Sequence, residues 1–267
     1  AKAFNNYYPA KNIVGTLAFE DLWPHRGDYD FNDLVVDYNF NQITNADNKV
    51  VEIDASLTVR AIGASSRNGF ALMLNTSNTN IKSVTGQSLV KDIFSIAANG
   101  AENRQAKAVI PVFDDAFTFI GKNGFVNTVQ GEAYTNPKTA TINIKLNTPV
   151  AISDFGTPPY NAFIVIDSDR TKEVHLPGSA PTELADVNLF GTEDDNSNLA
   201  IAKYYMSDKY LPWAINLPVQ FNYPSEKQDI TKTHLMFNPW AVSRGYNFMD
   251  WYVNKSGYRD DSKIYKK

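Results

Sequence analysis

The sequence contains no cysteine, so disulfides, thiol nucleophiles and cysteine-ligated zinc or iron-sulfur centres are excluded by counting. Histidine is nearly as scarce, with three in 267 residues. No run approaches the roughly 18 to 20 apolar residues of a membrane-spanning helix, and residues 1–20 lack a basic start followed by an apolar stretch. Any signal peptide or lipid-anchored terminus is expected to be missing from this sequence. A charge excess is missing too: 25 Lys and Arg face 29 Asp and Glu, a formal net charge of -4, which offers phosphates no basic field. Nucleic acid is therefore not an expected partner. There is no Gly-x-Ser-x-Gly elbow, no phosphate-cradling glycine-rich loop and no His-Glu-x-x-His pair. The common hydrolase and nucleotide chemistries have no anchor.

What is present describes a folded, mainly β protein. Hydrophobic residues make up 43% and aromatic residues 13%, enough for a substantial core and unlike a disordered chain. The 28 asparagines favour turns and strand-linking loops over helix interiors. Val51, Ile53, Ala55, Leu57, Val59 and Ala61 alternate with polar residues, the period-two pattern of a long half-buried strand. Ile142, Ile144 and Leu146 repeat that pattern, whereas Ala162 to Ile166 is continuously apolar, as in a strand covered on both faces. Ile13–Phe19, Leu34–Phe40, Phe70–Leu74 and Val109–Phe113 complete the set. The Asn68-Gly69 and Asn123-Gly124 pairs fit turns that need positive φ.

Residues 155–225 are rich in proline and read as loops, while Ile230 to Ser243 carries apolar residues at helical spacing, interrupted by Pro239. One helix or two short ones are expected there, within a helical region spanning 229–254. No linker or repeat divides the chain. The expectation is a single domain over 1–267, a β-sandwich of jelly-roll-like form with long loops and a short helical C-terminal segment.

The strongest chemical signal is an acidic loop. Asp28, Asp30 and Asn32 stand at the one, three, five spacing of oxygen-ligand calcium loops, followed at once by Asp33 and preceded by Glu20 and Asp21. Several carboxylates in one turn repel one another unless a divalent ion offsets them. The loop is not an EF-hand, because its sixth position is Asp33 where glycine is required and its twelfth is Asn39 where a bidentate glutamate is required. The expected ligands are Asp28, Asp30 and Asp33, with Asn32 or its backbone, and with Glu20 and Asp21 brought near by a turn through Pro24 and Gly27. Asp37 is a weaker candidate, since four extended residues from Asp33 cover about 13 Å. An all-oxygen set points to Ca²⁺.

The stretches Gly15-Thr16-Leu17-Ala18-Phe19-Glu20-Asp21-Leu22-Trp23-Pro24 and Gly27-Asp28-Tyr29-Asp30-Phe31-Asn32-Asp33-Leu34 resemble the opening of the LruC-type domain. That family comprises largely uncharacterised bacterial surface and secreted proteins abundant in Bacteroidetes. The resemblance continues through Arg67-Asn68-Gly69-Phe70, Gly124-Phe125-Val126-Asn127-Thr128, Glu173-Val174-His175-Leu176-Pro177-Gly178, Phe190-Gly191-Thr192, Leu211-Pro212-Trp213-Ala214-Ile215 and Asp250-Trp251-Tyr252. It implies an exported, often lipoprotein-anchored module, a mostly β fold and a calcium loop at the acidic motif. It supplies no established activity. Ser179 departs from the aromatic residue frequent in the family after His175-Leu176-Pro177-Gly178, which weakens that loop as a stacking platform for sugars.

Other residues have plainer readings. His175, without an adjacent nucleophile, reads as a structural hydrogen-bonding residue. Glu193, Asp194 and Asp195 form either a solvated loop or a second calcium site with Asp167 or Asp169. Trp23, Trp213, Trp240 and Trp251 are expected in the core. The expected function is that of a non-enzymatic, calcium-stabilised binding or adhesion module, exported to the cell surface or outer membrane, with a glycan or cell-envelope protein as partner. A carbohydrate-active enzyme using a carboxylate pair and a purely architectural stalk are the competing readings.

Overall fold

The computed structural model describes residues 3–267. The strands are β1 (Phe4–Tyr8), β2 (Gly15–Phe19), β3 (Leu34–Thr44), β4 (Lys49–Ala61), β5 (Gly69–Ser77) and β6 (Ile81–Thr85), then β7 (Lys107–Phe113), β8 (Lys138–Ala151), β9 (Asn161–Val165), β10 (Glu173–His175) and β11 (Ala214–Leu217). Helices are short: α1 (Ala116–Ile120), α2 (Ile152–Phe155), α3 (Ile230–Thr233) and α4 (Phe237–Val242). None is long and apolar enough to cross a membrane among the described residues.

The strands form two antiparallel sheets packed as a sandwich. A seven-stranded sheet runs β11-β2-β3-β4-β8-β6, with β1 paired to the far end of β3. The second sheet runs β10-β9-β5-β7. Phe19, Phe40, Leu57 and Ile142 from the first meet Phe70, Leu72, Ile110 and Ile164 from the second in one continuous core.

The outer face of the larger sheet is also covered. Ala18, Val35, Ala61 and Ile215 pack against Tyr29, Phe31, Phe237 and Trp251, so the acidic loop and the C-terminal segment form a second, smaller core there. This explains why Leu34 to Val36 is an unbroken apolar run: Leu34 and Val36 face one core and Val35 the other. Ala162 to Val165 behaves likewise, with Ala162 and Ile164 in the main core and Phe163 and Val165 in a third cluster.

Several expectations need correction. Val50, and not Val51, is the buried residue at the start of β4, because a register shift between Val50 and Glu52 reverses the phase of the alternation. Ile166 leaves the strand for a 3₁₀ turn. Gly69 does not sit at positive φ; it opens β5, whereas Gly124 does turn at φ 78°. The helical region 229–254 contracts to α3 and α4, and the break falls at His234, whose backbone is extended. Pro239 is the third residue of α4, in the first turn, where its missing N–H leaves no helical bond unmade. The loop-rich stretch 155–225 also contributes β10 and β11, too short to show a period.

Candidate metal centre

The acidic loop is shaped by two aromatic residues in unusual conformations. Tyr29 and Phe31 adopt positive φ (61° and 54°) and bury their rings in the second core, 4.9 Å apart. Such conformations cost about 1–3 kcal/mol each, which burial of two large rings offsets. With residues 29 and 31 directed inward to the core, residues 28 and 30 turn toward Glu20. One carboxylate oxygen from each of Glu20, Asp28 and Asp30 lies within 4.8 Å of the others, so the cluster could hold a metal ion.

Glu20 organises the loop. It leaves β2 with its own N–H bonded to the Trp213 carbonyl at 2.9 Å, and its carboxylate accepts the N–H groups of Tyr29, at 3.2 Å, and Phe31. Asp30 accepts the Asn32 N–H at 3.1 Å on one oxygen and the Lys227 N–H at 2.7 Å on the other. The 224–228 turn is thereby pulled onto the loop. It brings Glu226, whose buried Oε2 has no hydrogen-bond partner.

The charges are out of balance. Burial, and then the neighbouring Asp33 and Asp30, push the Glu20 carboxyl well above its usual range. Burial, Asp28 and Glu226 raise Asp30 to about 8, and burial with Asp28 raises Glu226 to about 7. Asp33 is pushed up by burial and by Asp21. Burial and mutual repulsion favour the protonated forms of these acids, and a divalent ion would favour their ionisation.

The remaining expected ligands have other partners. Asp33 accepts the Asp21 N–H at 2.7 Å, and Asp21 accepts the Asn68 side-chain amide at 2.8 Å. These two sit beside the three-carboxylate group and are not part of it. Asn32 is fully buried; its amide N–H donates to the Pro224 carbonyl at 3.1 Å, while its Oδ1 has no partner. Asp37 serves the sheet, accepting the Thr16 hydroxyl and the Gln220 amide, both at 2.7 Å. Glu193, Asp194 and Asp195 diverge: Glu193 lies 3.8 Å from His25, Asp194 accepts the Arg26 N–H, and Asp195 caps Gly191 and Ser197.

Glu226 and Asn68 escaped the sequence reading. Glu226 lies far along the chain from residues 20–33 with no motif around it. Asn68 read as turn punctuation, but its side chain joins Asp21 to the Asp167 N–H, at 2.8 and 3.2 Å. Elsewhere, His175 is buried between Phe163 and Tyr205 and bonded to Glu173 and Asn161, a structural position. Trp23, Trp213 and Trp251 are buried, and Trp240 is half-buried.

The donor set suits a hard cation. It is all oxygen, with three carboxylates, from Glu20, Asp28 and Asp30, in one group, and two further buried oxygens without hydrogen-bond partners, Asn32 Oδ1 and Glu226 Oε2, lie on the loop and on the turn bonded to it. No soft ligand is present, which disfavours copper or a structural zinc.

Residues 48–252 match the model of a family described as a domain of unknown function (DUF4842). The matched span begins after the acidic loop and includes Glu226. A solved structure from Bacteroides ovatus, titled "Putative lipoprotein", superposes with a TM-score of 0.68 at 18% identity, covering 99% of this chain and 76% of that one. At that identity the likeness shows the fold, two antiparallel sheets with few short helices. No curated protein matches.

Proposed function

The chain belongs to the DUF4842 family, whose description assigns no activity, and from its site we propose an exported, calcium-stabilised binding module of the cell surface, with a glycan or an envelope protein as its partner. One observation carries the calcium reading: the carboxylates of Glu20, Asp28 and Asp30 converge within 4.8 Å of one another, two of the three residues being buried. A divalent cation converts that costly arrangement into a rigid one. Extracellular modules bind calcium with dissociation constants on the order of 10⁻⁴–10⁻³ M, matched to the calcium found outside cells.

The LruC-like opening of the chain and the description of its structural relative as a lipoprotein both support export. In support of a non-catalytic role, the acids with strongly raised pKa values lie packed under the loop and do not line the cleft beside it. Calcium then acts indirectly, by fixing the loop before a partner arrives.

Calorimetric titration of chelator-treated protein tests this. Calcium should bind, and Asp28→Ala and Glu226→Gln should each weaken binding at least tenfold. Parent protein that takes up no calcium would refute the reading. A glycosidase and esterase screen should be blank; turnover abolished by changing one carboxylate would replace the module with an enzyme.

A further inference from the structure

A cleft of about 600 Å³ opens beside the acidic loop, built from segments far apart in sequence: residues 26–29, the turn 207–213, and the α3–α4 region. Its volume lies within the range of small-molecule sites. Leu211 and Trp213 are buried beneath it, and exposed Leu235 with half-buried Pro239 gives it an apolar strip. Asp194, Asp208, Lys209 and Asn238 line it with exposed polar groups.

The balance of these groups selects the ligand chemistry. Arg26 and Lys209 are matched by Asp194 and Asp208, and Arg26 is already held 3.0 Å from Asp229. A phosphate or carboxylate meets two acids, a cation meets two bases, and an apolar ligand strands all four charges without water. An uncharged polyol meets none of these penalties. Each sugar hydroxyl both donates and accepts, so it can bond to a carboxylate, an ammonium or an amide, while the C–H faces of the ring suit the apolar strip.

The cleft wall is tied to the metal loop by three hydrogen bonds from backbone N–H groups, one to a backbone carbonyl and two to side-chain carboxylates. The Ile230 N–H donates to the Tyr29 carbonyl at 2.8 Å, the Lys227 N–H to Asp30 at 2.7 Å, and the Arg26 N–H to Asp194 at 2.8 Å. Displacing residues 26–30 therefore displaces Asp194 and the segment leading into α3. We infer that this cleft binds a neutral saccharide through Asp208, Asn238 and Arg26, and that calcium in the adjoining loop sets its walls. The inference rests on the calcium reading above.

The test is binding of neutral oligosaccharides of two to four sugars, immobilised as an array and followed by calorimetry. Uronate-containing and phosphorylated oligosaccharides and short zwitterionic peptides are the comparison arms. Calcium-loaded protein should bind neutral members in preference, Asp208→Ala and Asn238→Ala should each weaken binding about tenfold, and excess EDTA should abolish it. Both substituted side chains are exposed, so melting temperature and calcium affinity should be unchanged in these variants, which separates lost contacts from lost fold. Protein that binds calcium normally but no neutral saccharide overturns this inference and leaves the calcium reading intact. Preference for charged sugars or peptides, indifference to both substitutions, or equal binding in EDTA overturns it too.

Discussion

Asn32 Oδ1 occupies the space into which any side chain on Gly63 would grow: a Cβ built there falls 1.6 Å from it. The Gly63 N–H also donates to the Asn32 carbonyl at 2.8 Å, so the two residues are locked together. Gly63→Ala should therefore move Asn32 and lower stability by about 1–3 kcal/mol through overpacking. Calcium affinity should fall with it. Thermal melting in EDTA reads the first effect and calorimetry the second; a variant identical to the parent in both would show that Asn32 has no part in the site.

Asp30 gives a test of opposite sign. Asp30→Asn keeps an oxygen for the Lys227 N–H while removing a charge that Asp28 and Glu226 oppose. In EDTA at pH 8 the variant should melt above the parent. With calcium the order should reverse, because the parent gains RT ln(1 + [L]/Kd), about 2.7 kcal/mol at one hundred times Kd, or several degrees. Magnesium should substitute poorly, since it demands octahedral geometry and sheds water reluctantly.

The same charges predict the pH dependence of metal-free protein. Asp30 and Glu226 have folded pKa values raised above their unfolded ones, to about 8 and about 7. The folded state binds their protons more tightly, so this stabilisation is complete below the ordinary carboxylate range and is lost as pH rises through 7 and 8. Urea midpoints of EDTA-treated protein should fall between pH 5 and 8.5, and saturating calcium should flatten that decline. A midpoint that rises across this window in EDTA would mean that the cluster is already ionised.

A network in the second sheet should be independent of the metal. Arg170 Nε donates to Glu102 at 2.6 Å, a second guanidinium nitrogen reaches Glu173, and both carboxylates are buried. Arg170→Met strands them, and breaking a buried pair in this way costs about 3–5 kcal/mol. The melting temperature should drop sharply while calcium affinity of the folded protein stays within twofold of the parent. Loss of both together would place the network and the loop in one cooperative unit.

The alternating strands were legible because a half-buried sheet stamps its period on the chain: Ile53, Ala55, Leu57 and Val59 all face the main core. Val51 was misplaced by a bulge, a one-residue event that leaves no mark in composition. β1, with polar Asn5 and Asn6 in succession and no fully buried residue, and β10, of three residues, carry too little periodicity to stand out. The acidic loop announced itself through local spacing. The approach of Glu226 could not, since it depends on a hydrogen bond between Lys227 and Asp30, 197 positions apart. Local chemistry is readable in sequence, whereas a site completed by the far end of a chain becomes visible only after folding.

That separation has a mechanical meaning for a chain with no cysteine. Under the calcium reading, an ion held at Asp30, whose carboxylate also accepts the Lys227 N–H, would act as a reversible cross-link between the acidic loop and a turn 197 positions away. Cross-links across long loops remove the most freedom from the unfolded chain, on the order of 4–5 kcal/mol for a covalent bridge of this reach in the chain-entropy model. Unlike a disulfide, such a fastener would answer to ion concentration and not to redox potential. Under that reading, the hold of the acidic loop on the 224–228 turn would strengthen as calcium concentration rises.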